Sequence, residues 1–355
     1  MDFSKIKLYL YWDLDNCRID KKIDKCNAVR TVKKSLCTCF PHVTIASLNA
    51  YTNNLSEEEI EAFGKNGFRV TSVPAGTTNA ADASLILDMF RFPLDKPSLV
   101  VLVSGDADFC EVFECLRHQG CTTVLLYPIN SVATELLSVS DYCFPIQSFW
   151  GGHGLPKRNR FLRRRPKKGY MQLYNLQRVI LWDIESFPLP SEGCQDTREI
   201  HHVVMSSIVA LVRKVSTGEG LHVENFLVHA FGKETILPQD NGERGGIRYI
   251  VTSNSPKEKY YSVENRMLVD MLYLATVTRV SCHFVILTSK DLSQEAIYFL
   301  KSLGHVVTTA VPSSSESLPE LGDASNNIIV WPDWKAGAAA KRRVHRAWRS
   351  KNDHR

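Results

Sequence analysis

No apolar stretch of the 355-residue chain approaches the ~20 residues that a membrane-spanning helix needs. The first residues, MDFSKIKLYLYWD, put an acid where a secretory leader is basic, and the short apolar run ends in Asp13. A soluble intracellular protein without a membrane partner is therefore expected. No CxxC pair occurs among the ten cysteines, eight of which precede residue 150, many inside apolar segments. Reduced, buried thiols are the expectation. Cys37, Cys39 and His42 lie close together, but the set lacks a fourth ligand for zinc and both thiols fall where a helix ends. Acids are also missing from residues 157–168, KRNRFLRRRPKK, and nearly so from 335–355, where Asp353 stands alone against eight basic residues. Without these two segments the remainder of the chain is net acidic. Positive charge so concentrated reads as a linker and a tail, an import signal, or phosphate contacts, and composition does not decide among them. Gly151-Gly152-His153-Gly154-Leu155-Pro156, ahead of the first segment, has a linker's composition. In the second, a helix would set Lys341, His345 and Arg349 on one face, with Trp331 and Trp334 upstream as stacking groups.

What the chain does have is a regular alternation of element types. LYLYW (8–12), VTIASLNAY (43–51), FRVTSV (68–73), LVVLV (99–103) and TTVLLY (122–127) read as strands. Between them, 26–40, 56–63, 81–92 and 110–120 read as helices, the second opening on a capping box of Ser56 and Glu59. Continuous rather than alternating apolar strands predict a parallel sheet covered by helices on both faces, with any site beyond the carboxyl ends of the strands. The acids fall there. Asp13 and Asp15 end the first strand, Asp106 and Asp108 follow Leu99 to Val103, and Asp82 opens a helix that Gly76, Thr77, Thr78 and Asn79 lead into. Taken singly each has a bland reading: Asp82 or Asp108 as an N-cap, Asp15 as a turn residue, Asp88 as a solvated helix position. Taken together they repel one another, and a hard cation with oxygen ligands, Mg²⁺ or Mn²⁺, is the usual means of keeping several carboxylates ionised in one place.

WDLDN (12–16), ADASLILDMFRF (81–92) and VLVSGDADF (101–109), in that order and followed by a helix and TTVLLYP, resemble the NYN domain, a PIN-like nuclease family. Within it the chain is most similar to plant proteins related to limkain, the meiosis regulator and mRNA stability factor. The resemblance covers roughly residues 7 to 146, with SGDADF its most specific part. It implies a metal-dependent endoribonuclease acting in RNA turnover. Asp13, Asp82, Asp106 and Asp108 are then the catalytic and metal-site acids, with Asp15, Asn16, Asp88 and Ser104 in support. Asp13, Asp82 and Asp106 would ligate the metal, and Asp108 would orient or deprotonate the attacking water. Asp88 lies about 240° round the helix from Asp82, so the two cannot face a metal equally. The expected substrate is single-stranded RNA. Its phosphates would be met by Lys157, Arg158, Arg160, Arg163, Arg164, Arg165, Lys167 and Lys168 in the linker, and by Lys341, Arg342, Arg343, Arg346 and Arg349 in the tail. The resemblance leaves nucleus, cytoplasm and a peroxisomal association open, and the terminal KNDHR is not an SKL-type address.

The second half repeats the pattern. VILWDIESF (179–187) sets Asp183, Glu185 and Ser186 on Asp13, Asp15 and Asn16, while Glu264 and Asp270 fall on Asp82 and Asp88. ILTSKDLSQ falls on VLVSGDADF, so Lys290 and Leu292 replace Asp106 and Asp108. The expected fold class is therefore α/β, two tandem Rossmann-like parallel-sheet domains of PIN/NYN type, the second degenerate. The boundaries are 1–149 for the first domain, 150–172 for the basic linker, 173–333 for the second domain and 334–355 for the tail. The insertion 232–261 reads as a loop or hairpin, and the second domain is a candidate surface for a protein partner or a second copy of the chain. Three other readings stand beside the nuclease. A haloacid-dehalogenase-like phosphatase would use Asp13 as nucleophile and Asp15 as general acid, but lacks a lysine motif before Ser104. A glycosidase acid pair leaves the basic segments and the third acidic stretch unexplained. A non-catalytic RNA-binding scaffold fits the decayed second site but not the intact first one.

Overall fold

The computed structural model of the chain describes residues 6–54, 56–73, 80–91, 98–150, 178–187, 226–232, 243–244, 247–252, 262–278, 280–288, 294–312 and 324–331. Two units emerge, Met1–Leu173 with Ser253–Val277, and Tyr174–Thr252 with Thr278–Arg355.

The first unit runs β1 (Ile6–Asp13), α1 (Lys25–Cys39), β2 (Val43–Thr52), α2 (Glu57–Lys65), β3 (Arg69–Ser72), α3 (Ala80–Arg91) and β4 (Ser98–Val103). A 3-10 turn, Ala107–Phe109, then leads into α4 (Cys110–His118), β5 (Thr122–Tyr127), α5 (Thr134–Val139), β6 (Tyr142–Pro145) and α6 (Gln147–Trp150). The strands form one parallel sheet in the order β3-β2-β1-β4-β5-β6. The chain winds outward from β1 in one direction and, after β4, in the other. The crevice of such a sheet opens where the order reverses, beyond the ends of β1 and β4. Both are buried on both faces, as their unbroken apolar runs require. Trp12 packs edge-on against Phe63 of α2 at 5.0 Å between ring centres, and its indole N–H donates to the carbonyl of Cys17 at 2.8 Å. The tryptophan ahead of the aspartate thus folds the following loop back under itself. The capping box of α2 is present, Ser56 accepting from the Glu59 amide and Glu59 reaching back to the Ser56 amide.

The second unit holds β7 (Arg178–Asp183), β8 (Phe226–Gly232), β9 (Glu243–Arg244), β10 (Ile247–Val251), β11 (His283–Leu287), α8 (Gln294–Ser302), β12 (Val306–Pro312) and β13 (Asn327–Trp331), the helix between β10 and β11 lying in the first unit. Its sheet order is β13-β12-β11-β7-β8-β10-β9, parallel except for β9. Read from β10 to β13, this is the winding of the first sheet. Two parallel-sheet α/β units are therefore present, as the residue pattern predicts. The segment 232–261 holds the hairpin its residues suggest, β9 antiparallel to β10, and also a strand of the main sheet. Its IRYIV stretch is a strand paired with β8, burying Ile247, Tyr249 and Ile250, in the position β3 holds in the first sheet. Surrounding charge and glycine hide these apolar residues from a composition reading.

A second departure concerns the helix α7 (Val263–Val277), which the contiguous boundary 173–333 assigns to the second domain. It belongs by its packing to the first unit, against α3 and α4. The helix is buried nearly all round, including the polar Asn265, Arg266 and Asp270. Arg266 makes an ion pair with Glu111 of α4 and a looser one with Asp270 at 3.7 Å, and Gln119 donates to Thr276 at 2.6 Å. Removing one partner of a buried pair strands the other's charge. Arg266→Leu is therefore expected to cost about 3 kcal/mol of stability, read as a lower midpoint in urea. Adding Glu111→Gln should recover part of the loss.

Candidate active site

Because β1 and β4 are neighbours, with Trp12 paired to Val103, the residues just past them meet. Asp13 is 2% exposed at the end of β1. Ser104, the first residue after β4, donates its hydroxyl proton to Asp13 Oδ2 at 2.7 Å. Asn16 supplies its backbone N–H to Asp13 Oδ1 at 3.1 Å and its side-chain Nδ2 to Oδ2 at 2.8 Å, the same Nδ2 lying 3.2 Å from Asp106 Oδ2. Burial raises the Asp13 pKa, and the hydrogen bonds from Ser104 and Asn16 work against that rise.

Asp106 is placed by backbone. Its amide donates to Ser104 Oγ at 3.1 Å, and its Oδ1 caps the 3-10 turn by accepting from the Asp108 amide at 3.1 Å. Gly105 between them is forced by space: a Cβ there would lie 2.2 Å from the Ser131 carbonyl oxygen. The Gly105 carbonyl also accepts from the Ala133 amide at 3.0 Å, so this turn is pinned to the loop after β5. Asp82, in the first turn of α3, joins from the third direction. Its pKa is raised to about 8, chiefly by burial and then by the charges of Asp13, Asp106, Asp108 and Asp15. Asp108 is raised to about 6, by burial first and then by Asp106, and a hydrogen bond from Asn265 opposes the rise.

The four acids Asp13, Asp82, Asp106 and Asp108 thus lie near enough at the crevice for their charges to act on one another, with Ser104 and Asn16 linking Asp13 to Asp106. Asp15 is turned toward β2, accepting from Thr52 Oγ at 2.8 Å and from the Asn53 amide at 2.9 Å, and supports the loop rather than the cluster. Asp88 is not brought to the site. It is buried on α3, accepts the Tyr51 hydroxyl proton at 2.7 Å, and lies 3.5 Å and 3.6 Å from the guanidinium groups of Arg69 and Arg91. Six helical positions turn it away from Asp82, and the reading of Asp88 as a supporting site residue is corrected to a structural one. Asn265 was not read as a site neighbour from the sequence. It carried no signal at all, standing 157 positions beyond Asp108.

The donor set suits a hard divalent cation. It is all oxygen, its charges push Asp82 up, and among the described residues no ion pair neutralises Asp13, Asp82, Asp106 or Asp108. As placed, no three His, Cys, Asp or Glu side chains among the described residues converge closely enough to hold a metal. Asn16 spans Asp13 and Asp106 instead.

The second unit reproduces the frame. The Trp182 indole donates to the Phe187 carbonyl at 2.9 Å, and the fully buried Asp183 accepts from Ser186 Oγ at 2.5 Å and from Thr288 Oγ at 3.3 Å. Glu264 and Asp270, aligned with Asp82 and Asp88, ride on α7 in the first unit. Lys290 and Leu292 lie outside the described residues, as do the linker cations from Lys157 to Lys168 and the tail cations from Lys341 to Arg349.

Residues 7–147 match the family model of the NYN domain. This segment is a NYN domain. NYN domains are a PIN-like nuclease family, and PIN-like nuclease domains generally use divalent metals. The match stops short of the second unit. No curated protein matches the chain. Among solved structures, a Vibrio parahaemolyticus protein of unknown function is 20% identical, covering 39% of this chain and 92% of its own at a TM-score of 0.32. The S. aureus MnaA–UDP complex is 11% identical over 86% of this chain and 79% of its own, at 0.28. A putative UDP-N-acetylglucosamine 2-epimerase from Listeria monocytogenes is 11% identical over the same shares, at 0.26. Superpositions this loose carry no inference about this chain. No helix among the described residues is long and apolar enough to cross a membrane.

Two outcomes are expected of the NYN site. Gly105→Ala should lose about 2 kcal/mol or more, because backbone rather than a movable side chain blocks the methyl group. Its urea midpoint should fall further than that of Gly64→Ala, where a Cβ meets nothing within 4 Å. The second concerns pH. The Asp82 proton is held to about pH 8 in the folded protein and released near 4 when unfolded, so this group's contribution to stability is full below about pH 4 and is lost as pH rises through about 8. The Tm of chelator-treated protein should therefore decline between pH 5 and 9, and Asp82→Asn should flatten that decline.

Proposed function

We propose that residues 7–147 form a divalent-metal-dependent endoribonuclease that cuts single-stranded RNA in the control of RNA turnover, and that the second unit is a degenerate copy of the same fold. The kinship with limkain-related plant proteins is part of this proposal. The observation that carries the reading is the meeting of four carboxylates, from three separate stretches of chain, at the crevice of a NYN domain. A structural role for each is available singly, but packing alone gives no reason to hold Asp82 beside three other acids at the cost its raised pKa expresses.

In this reading Asp13, Asp82 and Asp106 hold Mg²⁺ or Mn²⁺, which when bound supplies charge for phosphate oxygens and lowers the pKa of water. Asp13 stays fixed through Ser104 and Asn16, and Asp106 is oriented by its capping bond to Asp108 N. Asp108, with a pKa raised to about 6, is ionised at neutral pH yet basic enough to take a proton from an attacking water. The crevice itself is lined by carboxylates, so the linker and tail cations are assigned to phosphate contacts, which makes binding depend steeply on salt.

The test is cleavage of end-labelled single-stranded RNA by the whole protein with Mn²⁺, with Mg²⁺ and with chelator, beside Asp106→Asn. Metal-dependent cutting that the variant loses by about 100-fold or more is expected. RNA binding without cutting, equal in both proteins, would replace the nuclease with a scaffold.

A further inference from the structure

The NYN site receives a side chain from outside residues 7–147. Asn265, 2% exposed in the first turn of α7, donates from Nδ2 to Asp108 Oδ2 at 3.0 Å. Only the amide NH₂ can face an ionised carboxylate, so this orientation of Asn265 follows from its partner. The Asp108 backbone is already held, its N–H donating to Asp106 Oδ1. What remains free is rotation of the Asp108 side chain, and Asn265 removes it. The donor is itself firmly delivered. Its own N–H is capped by Ser262 Oγ at 3.1 Å, the adjacent Arg266 is ion-paired to Glu111, and the far end of α7 is tied through Thr276 to Gln119.

A merely structural use of Asn265 would be wasteful. A buried amide stabilises little beyond what an apolar side chain of the same volume would, whereas an aimed hydrogen bond fixes direction. We propose that Asn265 is a positioning residue for Asp108, holding one carboxylate oxygen so that the other faces the crevice, and that α7 is thereby a working part of the NYN site. This rests on the nuclease reading above. It also gives the distant half of the chain a task that requires no second active site: supplying the helix that sets the proton-accepting group.

The experiment uses the full-length protein and separates the contact from its effect on cleavage. In metal-free protein labelled with ¹⁵N-asparagine, the Asn265 side-chain amide resonances should move in Asp108→Asn. If they stay in place, the contact does not exist in solution and the proposal fails, whatever the protein does to RNA. In cleavage assays, Asn265→Leu, which keeps the volume and drops the donor, should lower kcat about tenfold or more with the RNA KM and Mn²⁺ affinity within twofold of wild type. Asn265→Asp, which opposes one carboxylate to another, should lower it further. Val32→Ala, a core change on α1 that touches neither Asp108 nor α7, should lower stability and leave kcat unchanged. A kcat for Asn265→Leu equal to wild type, or an equal loss in Val32→Ala, overturns positioning in favour of plain packing. A wild-type protein that cuts nothing, with the amide shift present, defeats the nuclease reading and leaves the hold on Asp108 standing.

Discussion

The carboxylate of Asp13 is buried at the end of the sheet's central strand, and much of the first unit is arranged to make that tolerable. A charge so placed needs several donors aimed at it. Ser104 can supply one because β4 lies beside β1 and ends in register with it. Asn16 can supply two because the Trp12 indole folds the loop after β1 back on itself. The same hydrogen bonds reach on to Asp106, whose capping of the next turn sets Asp108. One buried acid thus fixes the order in which the others follow.

The second unit keeps this arrangement at the end of β7. Asp183 is held by Ser186 and Thr288, and Trp182 closes the loop as Trp12 does. Asp183 thus stands at the end of β7 as Asp13 stands at the end of β1, each held by a hydroxyl donor from the neighbouring strand's end.

Much of the first unit could be read from its residues. Unbroken apolar strands predict a parallel sheet, and Ser56 with Glu59 predicts the start of α2; both are found. The placement of Asp82, Asp106 and Asp108 at one edge of the sheet was legible for the same reason, since strand ends and helix starts are points where local signals are strong. Asp88 was less so. Its helical angle excluded an equal share in the site, but only the surrounding Tyr51 and Arg69 show what it does instead. The parallel pairing of β10 with β8 was missed because charge and glycine around IRYIV outweigh its apolar residues in any composition reading.

Local physics decided the elements, their alternation and the acids that close them, because hydrophobic period, capping and turn preferences act over a few residues. That much was determined by the sequence alone, together with the duplicated Trp-Asp motif. What only the tertiary structure decided is which unit α7 serves. The pairing of Asn265 with Asp108 and of Arg266 with Glu111 joins residues more than a hundred positions apart, and nothing in either stretch encodes its partner. Contacts of that range are fixed by how helices pack rather than by how each one forms.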